Sequence, residues 1–185
     1  MRQRRVPASL TKRARKIRLF LMDVDGTLTA GGVCLISTLD GKPSTELKVF
    51  DSHDGVGLKL AHIMGIKTGF ITGRESQAVA QRAREVAADF LYQRQAKKTQ
   101  AFEDCVRKAG VSEEEVAYMG DDLPDIPLLR RAGLAVATAN AAEEVKEASH
   151  YVTCARGGEG AAREVVELIL KAQGQWKEAI PRALA

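Results

Sequence analysis

A short apolar run that ends in two aspartates constrains this sequence most. Residues 19–28 read LFLMDVDGTL, in which four apolar residues lead directly to Asp23 and Asp25. A continuous apolar run is typical of a strand buried on both faces, as in a parallel sheet covered by helices. Because buried carboxylates are costly unless they are compensated, both aspartates are predicted to lie at the strand's end, facing a group that needs negative charge.

Strand-like and helix-like segments alternate along most of the chain. The runs IRLFLMDV, IKTGFIT, EVAYMG and LAVATAN are separated by segments with helical spacing. This alternation predicts a doubly wound α/β fold, a three-layer Rossmann-like parallel sheet with helices on both faces. The chain has 185 residues, enough for one domain with a full core. We expect a basic arm at 1–9, that domain at 10–173, and a C-terminal tail at 174–185.

One segment, at about residues 32–50, interrupts the alternation. It contains two extended runs, Val33–Thr38 and Ser44–Phe50, around the turn LDGKP. Asp40-Gly41 in that turn is a strong hairpin signal. A hairpin that protrudes from a parallel sheet exposes its edges, so it is predicted to need a partner such as another subunit.

The positive charge is concentrated at the N-terminus. The chain has a formal net charge of +4, and residues 1–18 carry eight lysines and arginines and no acidic residue. Such an arm could bind a nucleic acid or a membrane surface. We expect instead a solvated tail that leads into a short helix, because no aromatic residue alternates with these charges to stack on bases.

The three cysteines are widely spaced and form no CxxC motif. Cys34, Cys105 and Cys154 are therefore predicted to be reduced thiols in a cytoplasmic protein, rather than a disulfide framework or a zinc site. No apolar run has the length of a membrane span, and no apolar segment follows the basic start as in a secretory signal. We expect no membrane partner.

Polar residues follow the first two predicted strands. Carboxylates two residues apart on a strand point to one face, and the carboxyl ends of strands line the ligand crevice of an open α/β sheet. Asp23 and Asp25 thus point to that crevice, and Gly26 allows a sharp turn. Alone, D-x-D-G-T could be an Asx turn or part of a calcium loop, but no spaced acidic ladder follows. Thr72 and Gly73 could hold a phosphate, or Thr72 could simply cap a helix.

Two later segments add a lysine and an acidic cluster. Lys98 begins a predicted helix, although its neighbour Lys97 could take that place. Asp121, Asp122 and Asp125 follow the strand AYMG, where their repulsion requires a cation or donors, unless Asp125 is only a helix cap. Oxygen-only ligands suit Mg²⁺, which also binds substrate phosphate. The set predicts a Mg²⁺-dependent phosphoryl-transfer site with a nucleophilic carboxylate.

These motifs resemble those of the haloacid dehalogenase-like (HAD) phosphohydrolases. The matching segments are D-V-D-G-T at 23–27, T-G-R at 72–74, Lys98, and G-D-D-x-x-D at 120–125. Within that superfamily the chain is similar to the 3-deoxy-D-manno-octulosonate (KDO) 8-phosphate phosphatases, on the hairpin after D-V-D-G-T-L-T, SHDGVGL and RGGEGAAREV. The resemblance implies an HAD-like fold without a large cap domain, a homotetramer whose hairpins associate, and a role in lipopolysaccharide synthesis.

The resemblance also implies a role for each matching residue. Asp23 would attack phosphorus and form an aspartyl-phosphate, and Asp25 would protonate the leaving oxygen and then activate water. Mg²⁺ would be held by Asp23, the carbonyl of Asp25, and Asp121. The remaining assignments are Asp122 and Asp125 as supports of these ligands, and Thr72, Gly73, Gly26 and Lys98 as the phosphate-binding set.

Substrate choice is predicted from four further residues. Arg74 matches the octulosonate branch, whereas a branch that hydrolyses nonulosonate 9-phosphates carries glutamate there; an arginine can pair bidentately with the carboxylate of a 2-keto acid. Arg82 would assist, and Arg156 would face the sugar or a neighbouring subunit, unless it is an ordinary loop arginine. Two departures from the family pattern lie near the substrate mouth: His53 replaces an arginine, and Ala30 in LTAGG replaces an aspartate.

Other functions remain compatible with parts of the pattern. A capless phosphatase could act on a nonulosonate 9-phosphate of the KDN or sialic acid type, or on another small phosphate ester. A phosphomutase is less expected, because rebinding an intermediate favours a closing cap. A non-catalytic protein would be expected to lack Asp23 or Asp25, and nucleic-acid binding through the arm would depend strongly on salt.

Overall fold

A parallel sheet of six strands forms the centre of the computed structural model, which describes residues 7–37 and 45–182. Its strand order is β5-β4-β1-β6-β7-β8, and each adjacent pair is parallel. The strands of the described chain are β1 (Leu19–Met22), β2 (Cys34–Ile36), β3 (Thr45–Leu47), β4 (Lys67–Ile71), β5 (Phe90–Tyr92), β6 (Val116–Gly120), β7 (Leu134–Ala137) and β8 (Tyr151–Val152).

Helices follow most of the sheet strands and cover both faces. They are α1 (Ala8–Ala14), α2 (Ser52–Ile63), α3 (Gln77–Glu85), α4 (Thr99–Ala109), α5 (Ile126–Leu129), α6 (Glu143–Glu147), α7 (Ala161–Ala172) and α8 (Trp176–Arg182). The prediction of a doubly wound α/β fold is confirmed. Over the described ranges, no helix has both the length and the apolar composition needed to cross a membrane.

The central strand β1 contributes to two separate cores. Leu19 and Leu21 pack in the cluster that contains residues of α4, α5 and α6, whereas Phe20 and Met22 pack in the cluster of α2, α3 and α7. All four side chains are fully buried. A strand covered on both faces requires an uninterrupted apolar run, which explains the composition of residues 19–22.

The position of β1 between β4 and β6 places the site. Met22 lies in register with Phe70 of β4 and Met119 of β6. The segments that follow these three strands therefore emerge side by side at the carboxyl edge of the sheet. The chain order reverses at β1, and ligands of open α/β sheets bind at such a switch point.

The predicted hairpin is present as an antiparallel pair outside the main sheet. Cys34 of β2 pairs with Leu47 of β3, and Ile36 with Thr45. The predicted turn LDGKP, with Asp40-Gly41, lies outside the described residues. The hairpin exposes a set of large apolar side chains, namely Val33, Leu35, Ile36, Leu47 and Val49.

Both ends of the described chain pack on the sheet's helical layer. Helix α1 begins at Ala8, inside the predicted arm, and buries Leu10. The predicted tail contains α8, which buries Ala179 and places Trp176 within 5.4 Å of the Arg163 guanidinium carbon. The tail is thus a packed helix through Arg182.

Candidate active site

Asp23 lies at the carboxyl end of β1, beside a buried lysine. Its side chain is nearly buried, and its backbone N–H donates to the Met119 carbonyl at 3.0 Å. Lys98 Nζ donates to Asp23 Oδ1 at 2.7 Å and to Asp125 Oδ1 at 2.8 Å. Lys98 is only 6% exposed, whereas Lys97 is exposed. The structure therefore brings Lys98, and not its neighbour, to Asp23.

Asp121 follows β6 and faces the turn after β1. Thr27 Oγ1 donates to Asp121 Oδ1 at 2.8 Å. Gly26 has a φ of +94°, and a Cβ at this position would lie 1.9 Å from Asp121 Oδ2. The turn therefore requires glycine both for its left-handed backbone and for the close approach of this carboxylate.

Asp125 is held by four donors. Its Oδ1 accepts from Lys98 Nζ and, at 2.7 Å, from Tyr118 Oη. Its Oδ2 accepts from the backbone N–H groups of Asp121 at 3.1 Å and Asp122 at 3.3 Å. Because both oxygens are engaged, this arrangement favours Asp125 as a support for the neighbouring groups rather than as a metal ligand.

Asp122 has a different environment. Its side chain is exposed and accepts from Leu123 N–H at 2.8 Å, and with Asp125 it forms a reciprocal cap on the 3₁₀ turn Leu123–Asp125. The helix-start capping considered for this segment is thus present. Its predicted role in supporting the metal ligands stays a prediction.

Asp23 and Asp121, with Asp125 beside them, form a site with the chemistry of a hard divalent cation. One ligand atom from each of Asp23, Asp121 and Asp125 lies within 4.8 Å of the others. Burial raises the pKa of Asp121 to about 7, and nearby Asp23 and Asp125 add to the increase, which Thr27 opposes. Burial likewise raises the pKa of Asp23 to about 6, against the attraction of Lys98. Crowded, buried carboxylates of this kind fit Mg²⁺, which takes oxygen ligands.

The lysine in this cluster carries a firm positive charge. Although burial acts to lower the pKa of Lys98, the carboxylates of Asp23 and Asp125 raise it above its usual value. A protonated amine beside a nucleophilic carboxylate can bind an incoming phosphate oxygen.

Thr72 and Gly73 lie where β4 ends. Thr72 is buried, its Oγ1 accepts from the backbone N–H of Arg74 at 3.3 Å, and its own N–H donates to the Tyr92 carbonyl at 2.9 Å. A Cβ at Gly73 would have Gln95 O as its nearest neighbour, at 3.8 Å, so the backbone there is open to a ligand. The loop is therefore suited to hold a small anion with the Thr72 hydroxyl and the Gly73 N–H.

Asp25 is surrounded by charged groups, two of them from the hairpin strand β3 and the residue after it. Lys48 Nζ contacts Asp25 Oδ1 and lies 3.4 Å from Glu46 Oε1. Arg74 Nη2 donates to Glu46 Oε1 at 3.0 Å, and its Nε lies 3.9 Å from Asp25 Oδ2. Arg74 thus lies next to Asp25, and its role in recognising the substrate stays a prediction.

Arg82, His53 and Arg156 have polar partners outside this cluster. Arg82 donates to the Asp51 carbonyl at 2.8 Å, His53 is exposed beside the Asp51 carboxylate, and Arg156 is exposed with Glu159 3.9 Å away. No hydrogen bond or ion pair among the described residues links these three to the cluster of Asp23, Asp25 and Asp121. Their roles in substrate binding stay predictions.

Two residues of this region were missed by the sequence reasoning. Asn140 follows β7, donates to the Gly26 carbonyl at 3.1 Å and accepts from Gly157 N–H at 2.6 Å, so it fixes the turn after β1. Its position after β7, at the carboxyl edge of the sheet, could have identified it from the sequence. Lys48 is on the same face of the extended run as Glu46, while Leu47 and Val49 point outward, so strict alternation could have identified it.

Comparison with known proteins assigns the chain to a family. A model described as haloacid dehalogenase-like hydrolase matches residues 74–164. The 3-deoxy-D-manno-octulosonate 8-phosphate phosphatase KdsC of Escherichia coli is 40% identical over 174 residues, which are 94% of this chain and 90% of that protein.

Solved structures give the same result. The 3-deoxy-D-manno-octulosonate 8-phosphate phosphatase of Moraxella catarrhalis, in complex with magnesium, phosphate and KDO, is 39% identical with a TM-score of 0.87, over 94% of this chain and 97% of that one. A probable YrbI family phosphatase from Pseudomonas syringae is 41% identical with a TM-score of 0.88, over 97% of this chain and 99% of that one. The chain therefore belongs to the haloacid dehalogenase-like hydrolases, in the family of the 3-deoxy-D-manno-octulosonate 8-phosphate phosphatases.

Proposed function

We propose that this protein is a Mg²⁺-dependent phosphatase that hydrolyses KDO 8-phosphate to KDO and phosphate. The observation that carries the proposal is the arrangement of Asp23, which lies between Lys98 and Asp121 at the switch point of the sheet. The family relationship supports the same substrate, because the curated relative is 40% identical across nearly the whole chain. The enzyme would then act in the synthesis of a lipopolysaccharide sugar, in the cytoplasm.

The reaction would proceed in two displacements on phosphorus. A carboxylate oxygen of Asp23 bonds to phosphorus while the bond from phosphorus to the sugar oxygen breaks, and Asp25 gives that oxygen a proton. Asp25 then takes a proton from water as the water oxygen attacks the aspartyl-phosphate, which releases phosphate and restores Asp23. Asp23, Asp121 and the carbonyl oxygen of Asp25 would hold Mg²⁺, which when bound would supply positive charge to offset the negative charge of the phosphate.

The remaining residues would hold the phosphate. Lys98 is preorganised by Asp23 and Asp125, so its ammonium is fixed before a ligand arrives. Thr72 and the backbone N–H groups near Gly73 and Gly26 supply further donors around the same space. Such donors are effective because they are already oriented when charge develops on the phosphoryl oxygens.

Arg74 would recognise the carboxylate of the sugar acid. In the structure its guanidinium donates to Glu46 and is half-exposed, so a ligand can reach it. The other substrate contacts are proposed on the resemblance alone, from Arg82, His53 and Arg156. Arg82 would assist Arg74, and Arg156 would face the sugar or a neighbouring subunit.

A homotetramer formed through the hairpins would complete the enzyme. The support for this assembly is the set of apolar side chains that the hairpin exposes, with Val49 74% and Leu35 57% exposed in the single chain. Burial of such a patch in a subunit interface would remove its cost in water. Light scattering coupled to size exclusion measures the assembly, and a monomer at micromolar concentration would contradict it.

The test of the substrate is phosphate release with Mg²⁺ from KDO 8-phosphate, a nonulosonate 9-phosphate, glucose 6-phosphate and p-nitrophenyl phosphate. We expect the highest kcat/KM on KDO 8-phosphate. In the variant Arg74→Ala, KM should rise for the sugar acid phosphate by tenfold or more, roughly the loss of a bidentate charged pair, with little change for p-nitrophenyl phosphate. If the wild type prefers the nonulosonate 9-phosphate, or shows no preference for either sugar acid phosphate, the proposed substrate is wrong and the phosphatase chemistry still stands.

A further inference from the structure

Lys48 is buried although it belongs to an exposed hairpin. Its side chain is 2% exposed, whereas Leu47 and Val49 on either side of it are at least half exposed. Removing an ammonium group from water is costly unless opposite charges and hydrogen bonds compensate it. The hairpin therefore buries the charged side chain and exposes the apolar ones. This reversal of the usual pattern indicates a function for the charge.

The partners of Lys48 define that function. Its Nζ contacts Asp25 Oδ1 and lies 3.4 Å from Glu46 Oε1, so the ammonium lies between two carboxylates. Glu46 in turn accepts from Arg74, which approaches Asp25 Oδ2 to 3.9 Å from the other side. The four side chains form a ring of alternating charge in which each oxygen of Asp25 faces a different cation.

This ring constrains the Asp25 carboxylate. An aspartate side chain rotates about two bonds, and without partners a partly solvated one samples several rotamers. A nearly buried ammonium on Oδ1 selects one orientation and leaves Oδ2 directed to the side of Arg74. Proton transfer to a leaving oxygen requires the carboxyl group within hydrogen-bond reach of it, so its orientation limits the rate.

We infer that Lys48 is a positioning residue that holds Asp25 in the orientation needed for proton transfer to the leaving oxygen. The inference rests on the proposed function for the role of Asp25. It makes the hairpin part of the catalytic machinery within its own subunit. Lys48 acts through Asp25 and contacts neither the phosphate nor the sugar.

The test uses the dependence on leaving group. An alkyl phosphate needs a proton on its leaving oxygen, whereas p-nitrophenolate leaves without one. In Lys48→Met, which keeps the length of the side chain and removes its charge, we expect kcat/KM for KDO 8-phosphate and for a simple alkyl phosphate to fall between roughly tenfold and a hundredfold. For p-nitrophenyl phosphate the fall should be under about threefold, and the inhibition constant of inorganic phosphate should not change.

Three results would overturn the inference. An equal loss on the alkyl and aryl esters would mean a general structural role. A weaker inhibition by inorganic phosphate would place Lys48 on the phosphate. A loss confined to KDO 8-phosphate, with the simple alkyl ester unaffected, would make Lys48 a reader of the sugar.

The controls separate this inference from the proposed function. Lys16→Met removes a lysine that pairs with Glu114 at 2.8 Å and precedes β1, at the opposite edge of the sheet, and should leave all kcat/KM values unchanged. Lys48→Arg keeps the charge and should show the same selectivity with a smaller loss, so it serves if Lys48→Met does not fold. If the wild type cleaves alkyl phosphates but not KDO 8-phosphate, the proposed substrate fails and the leaving-group comparison still tests Lys48.

Discussion

Mg²⁺ affinity should fall steeply between pH 8 and pH 5. Burial raises the pKa of Asp121 to about 7 and that of Asp23 to about 6, and a carboxylate must lose its proton to bind the metal. At pH 5 protonation should therefore weaken Mg²⁺ binding about a hundredfold through Asp121 and about tenfold through Asp23. Together these factors are about 4 kcal/mol, at 1.36 kcal/mol per pKa unit. If both carboxylates had ordinary pKa values, the Mg²⁺ affinity would fall about twofold or less over the same pH interval.

The same shifts set the sign of the pH dependence of stability without metal. A carboxyl group whose folded pKa is raised contributes stability that is fully present below the unfolded pKa, near 3.8, and is lost as the pH rises through the folded value. The contribution of Asp23 and Asp121 to the free energy of unfolding should therefore decline between about pH 4 and pH 7. Saturating Mg²⁺ should restore it, because the cation compensates both charges.

Isothermal titration calorimetry at several pH values, in buffers with different ionisation enthalpies, measures both the affinity and the protons released. We expect about one to two protons released per Mg²⁺ at pH 5.5 and few at pH 8. The variant Glu114→Gln, which removes an exposed carboxylate that precedes β6 at the opposite edge of the sheet, should behave as the wild type. A dissociation constant that changes less than about threefold between pH 5 and pH 8 would refute the reasoning.

Three further predictions concern single residues of the site. Asp23→Asn should abolish phosphate release while the far-UV circular dichroism stays that of the wild type, because the substitution removes the nucleophilic carboxylate and keeps the size of the side chain; near-wild-type turnover would contradict that role. Without Mg²⁺, Lys98→Met leaves the buried carboxylates of Asp23 and Asp125 without their cation, and should lower the free energy of unfolding in urea by about 3 kcal/mol; an unchanged value would show that the lysine is not needed to compensate them. Gly26→Ala places a Cβ 1.9 Å from Asp121 Oδ2 and should weaken Mg²⁺ binding by about tenfold or more, through strain at a φ of +94° and displacement of the carboxylate; a calorimetric affinity equal to that of the wild type would contradict the steric argument.

The fold and the central part of the site could be predicted from the sequence because both depend on local patterns. A run such as LFLM admits few alternatives to a doubly covered strand, and residues directly after strands meet at one edge of a parallel sheet. That rule brings Asp23, Thr72 and Asp121 together without knowledge of any side-chain contact. The sequence left open whether Lys97 or Lys98 enters the site, and burial distinguishes the two only once α4 is placed.

Residues that act through tertiary contacts were harder to predict. Lys48 enters from a hairpin whose path over the sheet follows from tertiary packing, and no sequence rule gives that path. Asn140 acts through hydrogen bonds with Gly26 and Gly157, two positions far apart in sequence. Residues 174–185 were expected to be a tail, and the contacts of Trp176 with Arg163 and Lys171 of α7 were not visible in the pattern.

The order of strands in the sheet has a consequence for the synthesis of this protein. Residue 23 is made early, yet the backbone N–H of Asp23 is bonded to Met119, and its lysine and second carboxylate are residues 98 and 121. A growing chain therefore carries an apolar strand and a pair of aspartates for about half of its translation, from residue 23 to residue 120, before β6 is complete. Contacts of such large sequence separation slow folding, so a nascent chain must protect the first strand from other chains until β6 is made.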